Sequence, residues 1–175
     1  MQSERFHETQ KFRQRWIWAV IIASIVPAIL ITGFGVWRQV LHGLPFGDRP
    51  SSDAGLIFGF ALTLVVGLGV ILLIAKSRLD VAVSDDEIFI RFRPFHLNGR
   101  HIAMRDVAEA RMRVYRPILE YGGWGIRMGF NGMAYNVSGN EGVQLVLANG
   151  SRVLIGSQRS RELEAAITSS RNRAR

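Results

Sequence analysis

The sequence contains no cysteine among its 175 residues. That excludes a disulfide scaffold, thiolate chemistry and cysteine-ligated zinc. Lysine is nearly absent too: Lys11 and Lys76 are the two present, so arginine carries most of the formal charge of +8. His7, His96 and His101 lack the HExxH spacing of a zinc helix, and His42 has no partner ligand near it in the chain. No phosphate-loop glycine spacing and no nucleophile elbow is present, and Ser138 has no histidine base near it. The expectation is therefore a non-enzyme with no catalytic residues, no cofactor, no metal and no small-molecule substrate. Arginines without a recognition module also argue against nucleic acid as a partner.

Charge is missing altogether from two places. Trp16 to Trp37 and Ala54 to Ala75 are each 22 residues without an ionisable group, in a chain that is otherwise 21% charged. A helix rises ~1.5 Å per residue, so a run of this length covers the ~30 Å hydrocarbon core of a bilayer. Both runs are expected to be transmembrane helices, at 16–37 and 54–75. Trp16, Trp18 and Trp37 lie near the ends of the first, where amphipathic rings favour the interface. Its apolar core exceeds that of a typical signal peptide, so a span is expected and not a cleaved leader. Pro27 removes a backbone donor in mid-span and predicts a mild kink.

Small residues recur in the second run at Gly55, Gly59, Thr63 and Gly67 and in the first at Ala19, Ala23, Pro27 and Gly35. Such stripes let helices in lipid approach closely. Gly55, Gly59, Thr63 and Gly67 are thus candidates for packing a helical hairpin, with a dimer contact as the alternative. The flanks set orientation. Residues 1–15 carry four Lys/Arg, the connection 38–53 carries two, and Lys76 and Arg78 follow the second run at once. The positive-inside rule then places both termini in the cytoplasm of a multi-pass inner-membrane protein.

Residues 76–170 change character. Leu79, Val81 and Val83 alternate with polar positions, as do Ile88, Ile90 and Phe92 before Pro94. Further strands are expected near Ile102 and over Val107–Arg116, then Trp124–Phe130, Met133–Val137, Gly142–Ala148 and Ser151–Gly156. Asn131-Gly132 and Asn149-Gly150 are type I′ hairpin signals. Seven strands, or eight with the segment near Ile102, at this spacing predict an antiparallel sandwich or barrel. From Ser157 to Ser169, Leu163, Ala166 and Ile167 mark one amphipathic helix. The basic tail 171–175 is expected not to pack.

These features together resemble a pleckstrin-homology-like (PH-like) fold. The segment GVQLVLANGSRVLIGSQRSRELEAAI resembles the final hairpin and helix of bacterial PH-like domains, which often follow a two-helix membrane hairpin. With FHETQKF and RPILEYGGWGIR, nearly the whole chain resembles a small bacterial membrane family of unassigned function. The resemblance implies an α+β membrane protein: a cytoplasmic segment 1–15, a transmembrane hairpin, and an antiparallel β-barrel or sandwich with a C-terminal capping helix. It implies no catalytic residue. The first turn, Ser84-Asp85-Asp86-Glu87, is acidic where phosphoinositide-binding relatives are basic.

Two surfaces remain as candidates. Tyr121, Gly122, Gly123, Trp124 and Gly125 form an aromatic loop among glycines: a partner anchor, or a bulged strand with Trp124 in the core. Arg91, Arg93, Arg111 and Arg113 would make one basic face toward membrane lipid if their strands were neighbours, and otherwise a solvated surface. The leading expectation is a non-catalytic binding or assembly module for a protein partner, itself included. The alternatives are an anionic-lipid-sensing face and an accessory subunit of a transporter or membrane enzyme.

Overall fold

The computed structural model of the chain describes residues 5–129 and 131–173. Residues 1–4, Phe130 at the end of an expected strand, and Ala174 and Arg175 of the tail lie outside the described residues. The chain forms two units, one of residues 14–75 and one that joins residues 76–175 to the N-terminal segment up to Arg13.

The first unit is the helical hairpin. α1 spans Arg15–Val36 and runs through Pro27, then widens into a π-helical turn, Trp37–Leu41. α2 spans Asp53–Lys76. Between them Gln39 does the work of a turn. Its amide Nε2 donates to the Ser51 carbonyl at 2.7 Å and to Asp53 Oδ1 at 2.8 Å, and its Oε1 accepts from Phe46 N–H at 3.2 Å. The Phe46 ring packs edge-on against Phe34, 6.1 Å between centroids. The helices run antiparallel, with Gly67 against Ile25 and Gly33 against Phe60. Both are long and apolar enough to cross a membrane, and only 6% of the most apolar window of each is buried. A helix from the core of a soluble domain would be mostly covered by its own chain; these two are not.

The second unit holds two sheets. In the first the order is β1-β2-β3-β4: Phe6–Lys11, Arg78–Val83, Glu87–Arg93 and Arg100–Ala103. In the second it is β5-β8-β9-β7-β6: Val107–Val114, Glu141–Leu147, Arg152–Gly156, Gly132–Asn136 and Gly125–Gly129. The inner faces meet in one core. Leu79, Val81, Ile88 and Ile90 of the first sheet pack with Val143, Leu145, Val153 and Ile155 of the second. The amphipathic stripe of α4 (Ser160–Arg173) adds Leu163 and Ile167 to it. Strand periodicity dictates this: β2 and β3 bury every second residue.

Three expectations need correction. The sheets do not close into a barrel. They remain separate, and the pairing is not wholly antiparallel, because β9 inserts between β8 and β7 and runs parallel to β7. The N-terminal segment also supplies a strand that was not assigned from the sequence: Phe6–Lys11 is an edge strand, antiparallel to β2 with Phe6 opposite Val83 and Lys11 opposite Arg78. The tail is helical through Arg173, and Arg171 donates to the Ala108 carbonyl at 2.9 Å. The β6–β7 register also sets Gly129 opposite Gly132, one residue short of the turn expected at Asn131-Gly132.

β1 is fixed by polar groups turned inward. The Glu8 carboxylate, buried, accepts from the Ser157 hydroxyl and from Gln158 N–H at 3.0 Å, just before α4 begins. An anion there also complements the dipole of the helix N-terminus. Gln10, also buried, donates to the Gly156 carbonyl at 2.7 Å. The first strand of the chain is thereby tied to its last strand and last helix.

Because Lys11 and Arg78 are adjacent in the sheet, a short glycine-serine linker from Phe12 to Ser77 can replace the entire helical hairpin. That protein is expected to be soluble and to unfold cooperatively. The fragment Ser77–Arg175, which lacks β1, is expected to aggregate. Equal solubility and unfolding midpoints for the two would show that β1 is dispensable.

Candidate functional site

The loop that follows β5 builds the least ordinary surface. Arg116-Pro117 starts a short helix, α3 (Pro117–Tyr121), with proline at the first helical position where its missing N–H costs nothing. Glu120 organises its surroundings. One carboxylate oxygen accepts from Arg116 N–H at 2.7 Å; the other accepts from Arg113 and from Asn131 Nδ2 at 3.3 Å. Desolvation works to raise the Glu120 pKa, but the Arg116 N–H and the Arg113 guanidinium outweigh it and hold the carboxyl below its ordinary value. Gly122 ends the helix in the left-handed region, φ 70°, its N–H donating to the Ile118 carbonyl at 2.9 Å.

Tyr121 is turned inward. With Tyr115, Ala134 and Leu154 it makes a second, smaller core on the outer face of the second sheet. The two phenol rings meet edge-on at 6.0 Å. The sheet backbone permits this because Gly156 lies beneath: a Cβ there would sit 2.7 Å from that of Asn136 and 3.0 Å from the Tyr115 hydroxyl. Burial pushes the Tyr115 phenol up to about 12, only partly offset by the hydrogen bond that Asn136 Nδ2 donates to it at 3.1 Å.

Gly123 and Gly125 take φ of 125° and 113°, so the loop is a chain of left-handed positions and not a bulged strand; β6 begins only at Gly125. Trp124 is not a core residue. It is half-buried, and its indole N–H donates to the Gly139 carbonyl at 3.2 Å. The exposed apolar side chains of this region are Ile118 and Leu119 on α3, with Val114 at the end of β5 and Met128 on β6 also exposed but in the strand phase of the main core. Of the sequence candidates, then, Tyr121 is structural and Trp124 is held to the Gly139 carbonyl. Ile118 and Leu119 were missed because single exposed apolar residues carry no periodic signal.

The four arginines do not form one face. β3 carries Arg91 and Arg93 in the first sheet, while β5 carries Arg111 and Arg113 in the second. Each is engaged locally: Arg91 donates to the His96 carbonyl at 3.4 Å, Arg93 lies 3.6 Å from Asp80, Arg111 lies 2.8 Å from Glu109, and Arg113 pairs with Glu120. Arg111 and Arg113 do share a shallow basin of about 200 Å³ with Arg152, Gln144 and Asn131. Its cationic lining is offset by Glu109. In the hairpin, Gly67 meets α1, whereas a Cβ on Gly59 would touch nothing within 4 Å and one on Gly55 only Ser51 and Ser52. Thr63 donates to the Gly59 carbonyl of its own helix at 2.8 Å. The small-residue stripe therefore contributes one close contact, at Gly67. Beside it an apolar groove of about 510 Å³ opens between Ile21, Ile25 and Ala28 on α1 and Leu62, Val66 and Val70 on α2.

Among the described residues, no group of three or more histidine, aspartate or glutamate side chains could hold a metal ion. Fold and surface define an α+β protein in which two long apolar helices interrupt a two-sheet domain. The chain belongs to the family described as a family of unknown function, DUF6141, whose model matches residues 4–173. No curated protein and no solved structure matches the chain.

The buried phenol gives a test of the small outer core. A tyrosine titrates near ~10 when unperturbed, and Tyr115 is held at about 12, so the fold favours the neutral form. Its stabilising contribution is complete below pH ~10 and is lost as pH rises toward the folded value. Phenolate absorbance should show a late-titrating tyrosine that is absent in Tyr115→Phe. That variant should also lose about 1 kcal/mol at neutral pH with the Asn136 hydrogen bond.

Proposed function

We propose that this is a two-span integral membrane protein of the bacterial inner membrane. In this reading α1 and α2 each cross the bilayer once, and the two-sheet domain lies on the cytoplasmic side. The domain works without catalysis, as a binding and assembly module for a protein partner.

The observation that carries the reading is the β1–β2 pair. The strand before α1 and the strand after α2 are neighbours, so the hairpin must leave and re-enter the domain on one side. An antiparallel pair of single spans does that. The exposed apolar surface of both helices supports it as well: Leu30, Phe58 and Val65 are each more than 60% exposed, which is unfavourable in water and natural in lipid. The basic flanks favour the cytoplasmic side. A PH-like relationship draws support from two packed sheets followed by one amphipathic helix, although the parallel β7–β9 pair and the unclosed sheets depart from a plain antiparallel barrel.

For the partner, the exposed face of α3 is favoured over the four arginines as one surface, because they are divided between two sheets. Ile118 and Leu119 stand exposed on a helix anchored by Glu120. A photo-crosslinker at Leu119 in native membranes should capture a discrete protein adduct, and Ile118→Asp should abolish it while the fold is retained. An unchanged adduct in that variant, or release of the protein into the aqueous phase by alkaline carbonate, would contradict the reading.

A further inference from the structure

The first sheet is electrically polarised along its strands. At the end that joins the helices, Lys11, Arg78 and Arg93 are register partners across β1, β2 and β3, so their side chains stand in one row on the outer face. Asp80 is the acid beside this row, at 3.3 Å from Arg78 and 3.6 Å from Arg93. Lys11 itself is exposed, as are Arg13 and Lys76 in the adjoining chain. At the other end the turn after β2 carries Asp85, Asp86 and Glu87. Arg5 pairs with Asp85 there, and His101 lies 3.1 Å from Glu87.

The cationic end also bears exposed apolar residues. β3 runs into it, and the turn that follows presents Phe95 at 58% exposure and Leu97 at 78%. Phe95 leans on the buried Phe92 ring with 5.9 Å between centroids, and the Arg91 guanidinium donates to the His96 carbonyl, so the turn is supported from beneath. Cations beside exposed apolar side chains match the headgroup region of a bilayer, where anionic lipid attracts the former and the acyl boundary accepts the latter. Connectivity supplies the proximity. Three residues separate Lys11 from the start of α1, and Lys76, the last residue of α2, is two positions from Arg78.

We infer that this end of the domain docks on the membrane that its own helices span. The row Lys11, Arg78 and Arg93 contacts anionic headgroups, and Phe95 and Leu97 enter the interface. The acidic turn Asp85–Glu87 is repelled and faces away. This fixes the domain against the bilayer by its base and leaves α3 to a partner. The inference rests on the bilayer reading above, and the experiment separates the two.

The cysteine-free sequence allows single-site labelling. Full-length protein carrying an environment-sensitive fluorophore at Leu97→Cys, Asp86→Cys or Leu64→Cys is reconstituted into vesicles of phosphatidylcholine with or without phosphatidylglycerol. The Leu97 probe should shift to the blue and lose quenching by iodide when phosphatidylglycerol is present. The Asp86 probe should remain fully quenched. Lys11→Gln, an exposed and structurally mild change, should restore part of the quenching at Leu97, and adding Arg93→Gln should restore the rest. Equal iodide access at Leu97 and Asp86 in anionic vesicles overturns the docking. The Leu64 probe, in the middle of α2, reports the spans through quenching by brominated acyl chains. Quenching there with none of the expected change at Leu97 sinks the docking alone; no quenching there sinks both readings.

Discussion

Two strands that lie far apart in the chain, β1 and β2, hydrogen-bond side by side along six residues each, and the rest of the molecule is arranged around that pairing. It completes the first sheet, places Phe6 in the core, and brings Glu8 and Gln10 to the junction of β9 and α4. A buried carboxylate is costly unless its oxygens are matched by donors. Here the Ser157 hydroxyl and the Gln158 N–H supply them at the start of a helix. The same interaction thus closes the domain and fixes the position of its last helix.

The pairing also constrains the helices. Whatever surrounds α1 and α2, the chain enters and leaves their hairpin at adjacent points of one sheet. A change in the spacing of the helix ends would load directly onto the Lys11–Arg78 end of the β1–β2 ladder. The wide apolar groove beside the Gly67–Ile25 contact shows that the helices are not packed along their length. Most of their apolar surface is left uncovered by the chain itself.

The helices were legible because two charge-free runs of this length in an otherwise charged chain are a clear signal of long apolar helices. Strands β2 and β3 were legible from alternation, β8 and β9 from the Asn149-Gly150 turn signal between them, and α4 from its apolar stripe. β1 was not. Its inward positions after Phe6 are Glu8 and Gln10, so the sequence reads as polar, and only the donors and acceptors on β9 and before α4 make that burial favourable. The arginine face failed for a different reason. Alternation assigns a residue to a face of its own strand but says nothing about which strands are neighbours, and β3 and β5 belong to different sheets. Likewise the parallel insertion of β9 beside β7 is a long-range choice that no local turn encodes. At the candidate surface, Pro117 at the first helical position did carry a helix-start signal, in a segment short enough to be read as loop.

The most direct test of the account uses the absence of native cysteine. His7 and Ala82 face each other across the β1–β2 ladder on the outer face of the sheet. Antiparallel partners have Cα atoms ~4.5–5.5 Å apart, within disulfide range. In full-length protein in membranes, His7→Cys with Ala82→Cys should cross-link rapidly under mild oxidation, while His7→Cys with Arg78→Cys, displaced by four positions along the strand, should not. Absence of the first cross-link, or equal yields from both pairs, would contradict the pairing on which the architecture rests.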